Sequence, residues 1–242
     1  GVRVMHGWGM TEMSPVGTLN APKRKHAGLS ADARFELSLK QGRPLYGVEM
    51  KIVDADGREL PRDGKSAGNL LVRGPWILRR YFKDAGGDPL TPDGWLPTGD
   101  VGTIDADGYI TYVGRTDDVF KASDYKVSPF ELESVLIEHP AVAEAAVVPA
   151  PDATRLAVPK AYIALAPGWS PDAETAKAIL AHARENLAPY LRVRRVEFFE
   201  LPKTISGKIR RVELRDREQQ AFDGSRSLSE EFRDDQFPEL RG

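Results

Sequence analysis

The chain has 242 residues, 41% of them apolar, and a formal net charge of −2 with both signs interspersed. It can bury one large core or two small ones, and its charge gives no footing for general nucleic-acid binding. It contains no cysteine, which excludes disulfides and thiolate chemistry, suits a reducing compartment and makes the cytoplasm the expected location. The longest apolar runs, such as Ala145–Val148, fall far short of the about 20 residues a membrane-spanning helix needs. No signal peptide is visible, and the chain opens Gly-Val-Arg-Val, as if cut from something longer.

In chain order, the first half reads as β-rich. Residues 20–40 are charged and irregular and are expected to form a surface excursion. Residues 47–54 alternate apolar and polar side chains, as a half-buried strand should. Residues 69–73 form another strand candidate, and 101–105 and 109–113 flank a hairpin turn at Ala106-Asp107-Gly108. The rhythm then changes. Ser128-Pro129-Phe130-Glu131 predicts a helix start with a capping box, and Leu132, Val135, Leu136 and His139 follow at helical spacing until Pro140. Strands are predicted at 142–148 and 158–165. A second helix opens at Ser170-Pro171-Asp172 and carries Ala176, Ile179, Leu180, Ala183 and Leu187 on one face. A strand at 195–200 and a charged helix near 209–220 come next, and the acidic, polar tail after Ala221 is expected to be loosely held. The fold class is α+β, with a boundary near Arg115–Asp118 that separates domains 1–115 and 116–242.

Three segments carry chemistry. In residues 6–15, HGWGMTEMSP, Gly7 and Gly9 let backbone pass close to a ligand and Trp8 offers a face for a base. Met10 sits between them and Thr11, whose hydroxyl suits a phosphate oxygen, and Glu12 is a hard ligand suited to Mg²⁺. The same residues read equally as a glycine-containing turn beside a buried tryptophan. In residues 94–121, Asp100 follows a glycine at a strand start, where a carboxylate suits the hydroxyls of a ribose, and Arg115 suits the same ribose or a phosphate. A turn-forming Gly-Asp and a surface arginine remain the alternative. In residues 202–211, PKTISGKIRR, a Ser-Gly turn between lysines makes a cationic loop from which Lys208 could meet charge developing on an oxygen; such runs are otherwise solvated. The histidines His6, His26, His139 and His182 are too scattered to suggest a metal cluster, and His139 fits a helix end.

Taken together and in order, HGWGMTE, WLPTGD, GRTDDVFKASDYKVSPFELE and PKTISGKIRR resemble the adenylate-forming (AMP-binding) superfamily of acyl-CoA synthetases, peptide-synthetase adenylation domains and firefly luciferase. The resemblance runs to about Leu214. It implies the β-rich end of a large N-terminal domain followed by a small mobile α+β lid. It also implies an acid–thiol ligase that turns a carboxylic acid and ATP into an acyl-adenylate, then into acyl-CoA and AMP, with Mg²⁺. On it, Gly7 to Thr11 with Trp8 would frame the adenine and phosphate, Glu12 would hold the metal, and Asp100 and Arg115 would bind the ribose. Asp117 would be the hinge, and Lys208 would bridge carboxylate and α-phosphate, with Thr11 and Glu12 assisting the chemistry. The second half is most similar to acetyl- and medium-chain acyl-CoA synthetases. Ser123, Tyr125 and Lys126 would then line the approach of coenzyme A, and Arg155 would meet one of its phosphates or be a surface turn residue.

Two departures matter. Asp124 stands where the family has glycine in its Ser-Gly-aromatic turn, so a carboxylate crowds the coenzyme A route. The first half is similar to medium- and long-chain fatty-acid ligases rather than to the branch the second half resembles, and divergence is the expected cause. No Ser/Thr/Gly-rich loop ending in lysine is present for the β- and γ-phosphates, and the acyl pocket would lie upstream, so the chain is expected to be inactive without the missing N-terminal part. The other readings are an adenylation domain that loads a carrier protein and a non-catalytic nucleotide-binding fragment. The acid and the oligomeric state are not legible.

Overall fold

The computed structural model describes residues 2, 4–83, 87–122, 125–225 and 231–240. The chain forms two compact units, Gly1–Thr116 and Asp117–Gly242.

In the first unit, β1 (Gly7–Gly9), β2 (Val16–Leu19) and β3 (Arg43–Pro44) make a small antiparallel sheet, with helix α1 (Ala31–Leu39) between β2 and β3. Then β4 (Glu49–Val53), β5 (Gly68–Arg73), β6 (Leu96–Ile104) and β7 (Ile110–Arg115) follow as an antiparallel meander. The alternation in β4 does what a two-sided sheet requires. Met50 and Ile52 enter the main core with Leu70, Val72, Leu96, Ile104 and Ile110, while Lys51 lies over Trp95 on the other face, its Nζ 4.4 Å from the ring centroid. At Gly108 the φ of +83° closes the β6–β7 hairpin, with its N–H donating to Asp105 O at 2.8 Å.

Two expectations change here. Residues 20–40 are not irregular throughout: Ser30 caps α1 by accepting from the Ala33 N–H at 3.2 Å. The helix buries no residue, so it has no apolar stripe for a pattern reading to find. Asp100 is not at a strand start, since β6 begins at Leu96. Gly99, at φ +73°, bends that strand from within, which in sequence imitates a break.

In the second unit, β8 (Phe120–Ala122) pairs with β9 (Tyr125–Val127) as a short hairpin before helix α2 (Pro129–Leu136). A four-stranded sheet then takes β10 (Val142–Asp152), β11 (Leu156–Leu165), β12 (Arg195–Phe198) and β13 (Glu231–Arg233) in that order. Helix α3 (Ala173–Asn186) supplies the crossover for the parallel β11–β12 pair, and α4 (Arg211–Phe222) follows β12. Strand β10 is buried on both faces. Ala145 and Val147 pack with α2 and α3, and Ala146 and Val148 pack with Leu214 of α4. That explains why 145–148 is a continuous apolar run rather than an alternating one. Asp172 caps α3 by accepting from Thr175 N–H at 2.9 Å.

Again two expectations change. Ser128 precedes α2, but its side chain makes no capping bond, and Pro129 at the first turn sets the helix start instead. The tail is not loose over 231–240. Strand β13 pairs antiparallel with β12, and the Glu231 side chain, 2% exposed, lies 2.8 Å from Lys160 Nζ. Lys160 is fully buried and also meets Glu197 at 2.8 Å and Glu218 at 2.7 Å. Burial alone would push the Lys160 ammonium down; Glu218 first, then Glu197 and Glu231, hold it above its ordinary value. No described helix is long and apolar enough to cross a membrane.

Candidate functional site

In the first unit the sequence-predicted residues of two distant segments converge on one carboxylate. Asp100 is 7% exposed. Its Oδ2 accepts from Trp8 Nε1 at 3.1 Å, and its Oδ1 from Arg115 Nη1 at 3.1 Å. Arg115 stands opposite Asp100 in the β6–β7 register and also donates to the Thr98 carbonyl at 3.1 Å. Thr98 was not foreseen. Its buried hydroxyl donates to Leu70 O at 2.8 Å and accepts from the Asp100 N–H at 3.1 Å, tying the carboxylate's backbone to the neighbouring strand. A Cβ on Gly99 would lie 2.7 Å from the Arg115 guanidinium, so glycine is what lets that arginine fold over the strand. Trp8 and Arg115 thus hold the carboxylate by one donor on each oxygen, which fixes its orientation.

The glycines around Trp8 are not interchangeable. A Cβ on Gly9 would meet Pro15 O at 2.0 Å, whereas one on Gly7 would touch backbone only at 3.4 Å. Gly9 is therefore required where β1 bulges against β2 between Trp8 and Gly9. Trp8 and Met10 are partly buried against the meander core. Thr11 and Glu12 follow in a single 3₁₀ turn, Thr11–Met13, pinned by the fully buried Met13. Glu12 Oε1 accepts from Tyr81 Oη at 3.0 Å, a partner 69 residues away that no spacing rule suggests. No group of three metal-ligating side chains occurs among the described residues. A lone carboxylate fits Mg²⁺ nonetheless, because that ion keeps its waters and takes phosphate oxygens alongside one or two carboxylates.

In the second unit Lys208 sits on a short exposed hairpin. Thr204 N–H donates to Lys208 O at 2.8 Å, Gly207 N–H to Thr204 O at 2.9 Å and Arg210 N–H to Pro202 O at 2.8 Å, with Gly207 at φ +82°. Lys203 is committed to Glu144 at 2.7 Å. The Lys208 ammonium has no hydrogen bond or ion pair among the described residues, so its charge is available. Asp117 is exposed and begins the second unit. Lys126 stands opposite Lys121 in the β8–β9 register, a like-charged pair that gains from an anion. Ser123 and Asp124 lie outside the described residues.

Tyr125 and Arg155 line one cleft of about 260 Å³ together with Tyr190, Arg192 and Arg194, which sequence reasoning missed. Tyr125 stacks on Tyr190 with centroids 4.7 Å apart. Arg155 is exposed on the β10–β11 turn, where its N–H donates to Asp152 Oδ1 at 3.0 Å. Burial first, then the charges of Arg184 and Arg194, hold the Arg192 guanidinium below its ordinary value. The only sequence hint was density: four arginines fall within 192–195 and 184. His139 is occupied locally. Its Nδ1 accepts from Ala141 N–H at 3.2 Å, and its ring packs edge-on against Trp169 and His182.

Comparison with known proteins gives the family. The AMP-binding enzyme family matches residues 1–82, and the AMP-binding enzyme C-terminal domain matches 131–208. The 3-methylmercaptopropionyl-CoA ligase of Ruegeria pomeroyi is 42% identical over 217 residues, 89% of this chain and 40% of that protein. The medium-chain-fatty-acid–CoA ligase of Ectopseudomonas oleovorans is 50% identical over 150 residues, 62% of this chain and 27% of that protein. Among solved structures, the anthranilate CoA ligase AuaEII in complex with anthranoyl-AMP matches with a TM-score of 0.77 and 38% identity over 92% of this chain and 41% of that one. The amide bond synthetase McbA from Marinactinospora thermotolerans matches with a TM-score of 0.72 and 35% identity over 89% and 42%. The chain thus spans about 40% of the length of such relatives. With both of the family's domains matched in order, and with acyl-CoA ligases as its relatives, the chain belongs to the adenylate-forming, AMP-binding enzyme superfamily.

Proposed function

We propose that this chain is the nucleotide-closing and lid portion of an AMP-forming acyl-CoA ligase. The observation that carries the nucleotide half is the Asp100 carboxylate, buried and oriented by Trp8 and Arg115. Fixed donors on both oxygens orient the carboxylate in advance, which is what gripping a ribose diol requires. Gly7, Trp8, Gly9, Met10 and Thr11 then run alongside the base and phosphate. Glu12, steadied by Tyr81, would hold Mg²⁺, which when bound neutralises charge on the phosphates.

In the first half-reaction a carboxylate oxygen attacks the α-phosphorus of ATP and pyrophosphate leaves. Two anions approach, and Lys208 offsets their repulsion as a compact charge on a long stem. In the second, the thiol of coenzyme A attacks the acyl carbonyl and AMP leaves. The second unit turns about Asp117 between the two, so that Lys208 withdraws and the face with Lys121, Tyr125 and Lys126 takes its place. Arg155, with Arg192 and Arg194, meets a coenzyme A phosphate in the cleft that Tyr125 and Tyr190 share. The ligase relatives favour coenzyme A as acceptor.

The test supplies the full-length parent with ATP, Mg²⁺, coenzyme A and acids from acetate to long fatty acids, and follows AMP and pyrophosphate. AMP release with one acid class that needs coenzyme A for turnover supports the reading and names the acid. Pyrophosphate exchange to which coenzyme A adds nothing points to another acceptor, and no AMP with any acid overturns the ligase. The 242-residue chain by itself is expected to turn over none of them.

A further inference from the structure

Lys208 lacks side-chain support of its own, so its position must be inherited from its hairpin's feet. One foot is Leu201, 5% exposed. The other is the start of α4, three residues after the lysine. There Arg211 grips the buried Glu133 of α2 with a fork, Nε to Oε1 at 3.2 Å and Nη2 to Oε2 at 2.6 Å. Its guanidinium also lies over the Phe130 ring, 4.6 Å from the centroid. Glu133 is in turn fixed by the Val147 N–H, which donates to Oε1 at 2.8 Å. One turn on, Arg215 Nη1 donates to Asp118 Oδ1 at 2.6 Å, and Arg211 Nη1 lies 3.6 Å from Asp118 Oδ2. Asp118 is 8% exposed and immediately follows Asp117.

The first two turns of the helix that carries the lysine hairpin are thus clamped at two points. One is the middle of the buried sheet strand β10, reached through Glu133. The other is the chain segment where the unit begins. The Arg211 fork fixes direction as well as distance, and Arg215 adds a second point of attachment. A hairpin tip swings when the helix below it tilts, and about 1 Å of displacement at a reacting centre costs up to about 100-fold in rate.

We propose that Asp118, Glu133, Arg211 and Arg215 are positioning residues for Lys208, holding its hairpin at the angle adenylation needs. The inference rests on the adenylation reading above. It assigns none of the four to contact with substrate.

The experiment measures ATP–pyrophosphate exchange and, separately, thioester formation from supplied acyl-adenylate, in the full-length parent. The variants are Asp118→Asn, Glu133→Gln and Arg211→Lys, the last keeping charge but losing the fork. Exchange should fall about 10- to 100-fold in kcat, with KM for ATP within about 2-fold and the thioester step nearly unchanged. Added to Lys208→Ala, Asp118→Asn should cost nothing further, because the group it positions is gone. An equal fall in both half-reactions, or a full further loss on the Lys208→Ala background, overturns the proposal and leaves a fold-holding network. A variant too unstable to purify is replaced by Arg215→Lys, read by the same two criteria. Wild-type exchange with unaltered variants overturns this inference alone, whereas no exchange in the wild type overturns the ligase reading with it.

Discussion

The two units hold their candidate functional groups in opposite ways. In the first, Asp100 is surrounded by partners drawn from its own strand, from the neighbouring strand and from a tryptophan 92 residues away. In the second, Lys208 stands on an exposed turn closed by backbone bonds, while the unit's densest ion network surrounds Lys160, whose side chain has no exposed surface. The difference follows from the tasks. On the proposed function a ribose would be gripped the same way throughout, so its carboxylate would gain from being fixed in advance. On the same proposal a lysine that serves one half-reaction would have to leave, which suits a place on a unit that moves as a whole, with the buried ion pairs holding that unit together.

That contrast predicts that stability and activity separate cleanly in the second unit. Lys160→Met removes the one cation that three buried carboxylates share, and breaking a buried pair costs about 3–5 kcal/mol. Urea unfolding should show the loss, with the adenylation rate intact at a temperature where the variant remains folded. An unchanged midpoint would mean that water reaches the cluster. Lys208→Ala should do the reverse: pyrophosphate exchange drops about 10²- to 10³-fold, the scale for removing one transition-state donor, with no shift in melting temperature. A melting shift as large as that of Lys160→Met would erase the distinction between the two lysines.

Trp8→Phe probes the first unit, where the comparison predicts that binding and order are coupled. The ring is kept and the N–H to Asp100 is lost, so about 1–1.5 kcal/mol goes with it. That is about a 10-fold rise in KM for ATP with kcat nearly held. A fall in kcat alone would place Trp8 in the chemistry rather than in the grip.

What was legible in the sequence tracks periodicity and local chemistry. The two-sided strand β4 and the stripe of α3 were readable because burial repeats at 2 and at 3.6 residues. Helix α1 was not, because it buries nothing, and β13 was not, because its anchor is a glutamate, a residue type that pattern reading assigns to solvent. The same limit applies to the site. Residue types at Trp8, Asp100 and Arg115 pointed to a nucleotide, yet the bond between Trp8 and Asp100, Tyr81 behind Glu12 and the arginines beside Arg155 are products of folding. No spacing encodes them. Gly99 misled for a local reason, since a positive φ inside a strand has the same sequence signature as a strand's end.

The smallest effect concerns the tail and pH. Burial works to raise the Glu231 carboxyl, but Lys160 first, then Arg195 and Arg233, hold it below the ordinary range. A depressed folded-state pKa means that the unfolded chain takes up its proton first as pH falls. The stabilisation is therefore full above the unfolded value of about 4.3 and is lost as pH drops through the folded one. Asp105 acts in the same direction in the first unit, where burial is outweighed by Lys40 and the Tyr109 N–H. Glu231→Gln should thus lower stability at neutral pH and flatten the acid-side slope of urea stability below about pH 4.5, while the part of the slope due to Asp105 persists. An equally steep slope in the variant would mean that β13 has already left the sheet before Glu231 titrates, and that the tail is held less firmly than its buried ion pair implies.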